Sequence, residues 1–173
     1  MSASNSKSLK AEPTENAALI DSHLDRAGNS SVQIRTAQIA RLFADWNRLR
    51  EAREFPCRED FDVAALKYIL GNLSLITVSG DPPEFLYRVH GTRVAHQVGY
   101  DLTGKSVDAI PNPRARDYAR GLFSLAVERR SPVVETRNMP FIDNPIGRCE
   151  VAALPLSKDG AAIDALFSAV VWL

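Results

Sequence analysis

The chain has 173 residues, 45% of them apolar and 24% charged, with 21 basic side chains set against 21 acidic ones. That composition fits one globular domain with a core and excludes a collagen-like or wholly disordered chain. A formal net charge of zero supplies no global field to draw a polyanion, so neither nucleic-acid binding nor attachment to a membrane surface is expected. Cys57 and Cys149 lie far apart and outside any CxxC spacing, which gives no argument for a metal site or a disulfide and makes a reducing cytoplasm the expected compartment.

Residues 1–31 are serine-rich and lack aromatic residues. They contain no apolar stretch long enough for a secretory signal and cannot bury enough surface to offset their ordering entropy, so they read as a disordered leader. No apolar run elsewhere approaches the ~20 residues that a membrane helix needs, and no membrane insertion is expected. Residues 32–58 then read as an amphipathic helix with a linker, and residues 59–173 as the folded domain.

Ser30 and Ser31 are good helix N-caps before VQIRTAQIARLFADWNRLREA. In that segment Val32, Ile39, Leu42, Trp46 and Leu49 recur at heptad-like spacing, broken only by Arg35. Polar side chains fill the other side, and an uncovered stripe centred on Trp46 would leave a contiguous apolar strip in water. Two covers are open: docking in cis on the outer face of the sheet, where alternation places Leu166, Val170 and Trp172, or pairing with a second copy as a homodimer, and both hold together if two helices pair across a two-fold axis. Pro56 ends this helix, and a short second one is expected from Val63 to about Leu70, between Asp62 as its cap and Gly71 as its stop.

From Leu73 the pattern changes to β-branched and alternating residues, LSLITVS and FLYRVHG, separated by the turn residues Gly80, Asp81, Pro82 and Pro83. A helical segment with Val94, Ala95 and Val98 follows, then a loop in which Gly99 and Gly104 permit tight turns. Pro113 opens a long helix to about Arg130, with Ala115, Tyr118, Ala119, Leu122, Phe123 and Ala126 on one face. PVVETRNMPF, GRCEVAALPLS and AIDALFSAVVWL read as three further strands joined by the turns DNPIG and KDG. The sum is an α+β fold: a five-stranded antiparallel sheet with helices on one face, preceded by an amphipathic helix.

That element order, with FLYRVHGTRVAHQVGYDLTGKSVDAI ahead of the long helix and the three-strand ending, resembles the PAS sensor fold over about residues 60–173. LFADWNRLREAREFPCREDFD, YRVHGTRVAHQVGYDLTGKSV and LPLSKDGAAIDALFSAVVW are similar, more narrowly, to small stand-alone bacterial PAS proteins with an N-terminal helix. The resemblance implies a non-enzymatic sensory or regulatory module in bacterial signalling, binding a small ligand, a signalling protein partner or both. It also implies a cavity between sheet and helices, with Tyr87, Arg93, His96, Tyr118, Leu122 and Phe123 as candidate lining and Arg93 as an anion anchor. Because close packing is the default for a domain this small, a filled core is favoured over a vacant pocket from periodicity alone, and a scaffolding protein with such a core is the alternative.

The long helix contains no histidine, where haem-binding PAS domains carry their iron ligand, so haem is not expected. Covalent flavin chemistry is not expected either, since Cys149 falls in a strand, Cys57 in the linker, and neither has the asparagine-cysteine-arginine context. No nucleophile elbow, zinc-protease or phosphate-loop motif occurs, and GYDLTGKS departs from the last in spacing and context. No catalytic or metal-binding residue is therefore assigned. A small enzyme would need His90, His96 and Asp101 to converge, whereas each histidine is more simply structural or exposed. Arg41, Arg48, Arg50 and Arg53, and again Arg114, Arg116, Arg120, Arg129 and Arg130, read as solvated helix faces with acidic neighbours.

Overall fold

The computed structural model describes residues 33–139 and 147–173. The expected leader, Ser30, Ser31, Val32 and residues 143–146 of the DNPIG turn lie outside the described residues. Within them, α1 (Ala37–Arg50) leads through a linker to β1 (Leu73–Ser79) and β2 (Glu84–Val89). After these come α2 (Thr92–Val98), α3 (Pro113–Arg129), β3 (Val133–Asn138), β4 (Arg148–Leu156) and β5 (Ala165–Trp172). The five strands form one antiparallel sheet in the order β2-β1-β5-β4-β3. This is the expected α+β architecture, with the C-terminal strand at the centre.

The helix ends follow local chemistry. Asn112 caps α3 by accepting from the Arg114 and Ala115 amides, with Pro113 in the first turn. Gly99 ends α2 at φ 83°, a left-handed conformation that glycine adopts without a Cβ penalty. At α1 the cap is Thr36, whose hydroxyl accepts from the Ile39 amide, and not Ser30 or Ser31. Residues 33–36 stand outside the helix, and Arg35 and Thr36 donate their amides to the sheet residue Glu150, a long-range partner that no local pattern reveals.

The expected second helix is absent. Residues 63–69 close instead into successive tight turns, with Ala65 N–H on Asp62 O and Leu66 N–H on Val63 O, and they bury Leu66 and Ile69 in the core at 3% and 1% exposure. Asp62 still accepts from the Ala64 amide, so it caps a turn and not a helix.

Both faces of the sheet are covered. Ile39, Leu42 and Trp46 of α1 are buried against one face in a core continuous with β4 and β5, and Trp46 Nε1 donates to Pro155 O at 2.7 Å. Leu49 is half-buried beside them. The linker extends this layer: Phe55 and Phe61 are buried, Phe61 meets Phe167 edge-on at 5.0 Å, and the Ser157 amide donates to Pro56 O. The stripe of α1 is thus satisfied in cis, and pairing with a second copy through the same residues would require α1 to leave the sheet.

The residues under α1 differ from the expected set. Glu150 contacts the start of α1, and alternation places Ala152, Leu154, Phe167, Ala169 and Val171 on that same face. Val170 and Trp172 line a cavity on the opposite face, and Leu166 shares their side by the same alternation. Because β4 is buried from Cys149 to Leu156 without interruption, polarity carries no phase information there, and an error of one residue inverts the assignment.

Candidate functional site

Between the sheet and α2, the 99–112 loop and α3 lies a cavity of about 460 Å³. Periodicity favours a filled core, and the structure leaves this hollow on the α3 side of the sheet. The sheet supplies Tyr87, Val151, Ser168, Val170 and Trp172 to its wall, α2 and the loop supply Val94, Val98, Tyr100 and Leu102, and α3 supplies Ala115, Ala119, Leu122 and Phe123. The small side chains of Ala115 and Ala119, one helical turn apart, set back the α3 wall where larger residues would close the space.

One corner is aromatic. Phe123 meets Phe85 at 5.4 Å and Tyr87 at 6.0 Å, both edge-on, and Tyr87 meets His90 at 5.2 Å. These edge-to-face contacts fix the rings that form the wall. Burial drives the Tyr87 phenol well above its ordinary ionisation range, so it stays protonated.

His90 is buried at 6% exposure on the cavity wall. Its Nδ1 accepts from the Leu102 amide at 3.2 Å, and its own amide donates to Thr103 Oγ1. The acceptor role of Nδ1 assigns the proton to Nε2. Burial lowers the imidazole pKa, with the exposed Asp101 carboxylate 3.7 Å away opposing that effect. His90 is therefore a neutral residue that pins the 99–112 loop to the end of β2.

At the β3 side, the Tyr118 hydroxyl donates to Glu135 Oε1 at 2.5 Å and Arg137 stacks over the Tyr118 ring at 4.2 Å. Glu135 and Arg137 also pair with each other at 3.5 Å. Burial, and after it the Glu135 carboxylate, hold the Tyr118 phenol well above its usual range.

Of the residues expected at a pocket, Tyr87, Tyr118, Leu122 and Phe123 converge on this cavity. Arg93 and His96 do not. They are exposed on α2 and border a second, more open hollow with Gln38, Asn72 and Thr92. The reason is helical geometry: Val94 and Val98 occupy the inward face of a short helix, which turns positions 93 and 96 outward. His90, His96 and Asp101 accordingly do not form one cluster, and among the described residues no group of His, Cys, Asp or Glu is arranged to hold a metal ion. Cys149 is fully buried, and burial pushes its thiol up to about 12.

Sequence reasoning missed Trp172, Tyr100, Val151 and Ser168. Ser168, Val170 and Trp172 do recur at period two, but the signal for their face requires knowing what covers each side of β5. Among the described residues the buried Trp172 Nε1 has no hydrogen-bond partner.

The fold is an α+β domain with a cavity between its sheet and helices. A family model described as PAS domain matches residues 34–170, and the chain belongs to that family. A search of the curated proteins gives no match. Among solved structures, the chain is similar to a sensory box sensor histidine kinase from Vibrio cholerae, with a TM-score of 0.47 and 18% identity over 64% of this chain and 89% of that one.

Proposed function

We propose that this PAS domain is a non-enzymatic sensory module of a bacterial signalling system, which takes a small ligand into the cavity and reports its presence through α1. The observation that carries this reading is the cavity of about 460 Å³, a volume ordinary for small-molecule sites, on the sheet face opposite α1. Strands β4 and β5 are the common wall: Val151 and Val170 face the cavity, while Glu150 and Val171, one residue along each strand, face the α1 side.

A ligand changes the output only if it binds one arrangement of the sheet and α1 better than another. In the seated state the α1 stripe is consumed by the sheet. In a released state Ile39, Leu42 and Trp46 would be free to pair with a signalling protein or with a second copy. No helix among the described residues is long and apolar enough to cross a membrane, and a cytoplasmic setting is part of this reading.

Native mass spectrometry of the purified full chain, paired with the denatured spectrum, tests it. The expected result is a non-covalent small-molecule mass that disappears on denaturation. A bare chain whose melting temperature responds to no member of a broad metabolite panel would overturn the reading.

A further inference from the structure

We infer that β3 is the edge along which two copies of this chain pair antiparallel, about a two-fold axis through Thr136, joining their sheets into one. The inference stands apart from the sensory reading, because neither the cavity nor α1 takes part in the contact.

The sheet ends in β2 on one side and β3 on the other. The chain covers the first edge itself: the Tyr87 amide donates to Lys105 O, the Gly104 amide donates to Tyr87 O, and Leu86 bridges to Ser106. At the second edge the ladder fixes which backbone groups face outward. The Leu173 amide donates to Arg148 O at 2.9 Å, so Arg148 and every second residue after it turn their backbone groups toward β5, while Cys149, Val151 and Ala153 turn theirs toward β3. Those three oppose Arg137, Glu135 and Val133. Val134, Thr136 and Asn138 therefore aim N–H and C=O out of the sheet, and among the described residues nothing pairs with these groups. The strand has no proline and no lysine, and its register with β4 runs without a bulge, so devices that commonly close an edge to further pairing are missing.

The side chains point to a second copy as the occupant. Glu135 and Arg137 are the charged residues of β3, two apart and hence on one face. Between two identical antiparallel strands the outward groups meet when even-numbered positions oppose each other, which places the axis through Glu135, Thr136 or Arg137. An axis through Glu135 sets that residue against itself, and an axis through Arg137 does the same with the opposite charge. The axis through Thr136 sets each Glu135 opposite the partner's Arg137, in pairs without ladder bonds, where side chains stand closest. Thr136 then exchanges backbone bonds with its own copy, and Val134 with Asn138. Within one chain Tyr118 and Arg137 both approach Glu135 at Oε1, which leaves Oε2 to accept from the partner's Arg137.

Sedimentation equilibrium of the full chain, with hydrogen exchange on dilute and concentrated samples, tests the contact. A mass that rises from monomer to dimer with concentration is expected, together with slowed exchange at Val134, Thr136 and Asn138 in the concentrated sample. Thr136→Pro removes an outward amide without touching the ladder to β4, and should weaken the dimer roughly tenfold or more with little change in melting temperature. Glu135→Arg and Arg137→Glu should each lose the homodimer and pair with each other when mixed. A chain that stays monomeric up to about 1 mM, a full-strength dimer of folded Thr136→Pro, or concentration-dependent protection in α1 and not in β3 would each overturn the inference. Charge variants that fold yet fail to pair on mixing would overturn the axis through Thr136. The exchange experiment uses the wild-type chain and decides the place of the contact whether or not a variant folds.

Discussion

The carboxylate of Glu150, wholly buried in β4, closes the amino-terminal end of α1 through Thr36, accepting its amide at 2.7 Å and its hydroxyl at 2.5 Å. The second carboxylate oxygen accepts from the Arg35 amide at 2.6 Å. Thr36 Oγ1 in turn accepts from the Ile39 amide, so one sheet residue and one hydroxyl satisfy donors that the first turn of a helix leaves unpaired.

Glu150→Ala is expected to destabilise the chain by about 3 kcal/mol, since it strands buried amides without an acceptor. Thr36→Val should cost about 1–2 kcal/mol, in the range of a lost N-cap. Urea unfolding checks the magnitudes. Hydrogen exchange should show the loss of protection concentrated in α1, and a uniform loss across the sheet would contradict the assigned role of this contact.

Two glycines should respond in opposite directions to alanine. A Cβ on Gly91 would sit 2.7 Å from Gly71 O and 2.9 Å from Leu73 O, backbone atoms that cannot rotate away, so Gly91→Ala should cost about 2–3 kcal/mol and displace α2. A Cβ on Gly121 meets nothing within 4 Å, and in the interior of α3 Gly121→Ala should stabilise by about 0.5–1 kcal/mol. Thermal denaturation of the two single variants decides both.

His90 gives the fold an acid-side dependence. Burial lowers its folded pKa below the ordinary 6.5, so the unfolded chain takes up this proton first as the pH falls. The stabilising effect of keeping His90 neutral is whole above pH 6.5 and is lost as pH falls through that value toward the folded pKa. The melting temperature should therefore drop more between pH 7.5 and 5.5 in the wild type than in His90→Asn, where the corresponding term is gone. Parallel profiles would rule out His90 as the titrating group.

The two thiols should differ in reactivity. Cys149 is buried with its thiol pushed up to about 12, while Cys57 is only half-buried, its thiol raised chiefly by its hydrogen bond to Glu59. A disulfide reagent at pH 8 should label Cys57 alone in the native chain, slowly for a free thiol, and both cysteines in urea. Native labelling of Cys149 would show that β4 opens more readily than its burial implies.

The sequence by itself determined the elements whose signals are local. The 3.6-residue stripe marked α1 and α3, Pro113 marked the start of α3, and the turn residues from Gly80 to Pro83 separated β1 from β2. Tyr87, Tyr118, Leu122 and Phe123 were legible as inward residues because β2 and α3 each keep an exposed side that reports the other by contrast.

Tertiary structure alone decided the rest. With α1 and the linker on one face and α2 and α3 on the other, β4 and β5 are buried on both sides, and their mostly apolar sequence does not alternate in a way that says which residues face which layer. That is why Trp172 was assigned to the wrong face and why Glu150, an acid inside a strand, gave no hint of its role at the start of α1. Cavities are invisible for a related reason: side-chain volumes add along the chain, but the space between sheet and helices depends on how far Ala115 and Ala119 let α3 stand from Val151 and Val170, a distance set only when the layers pack.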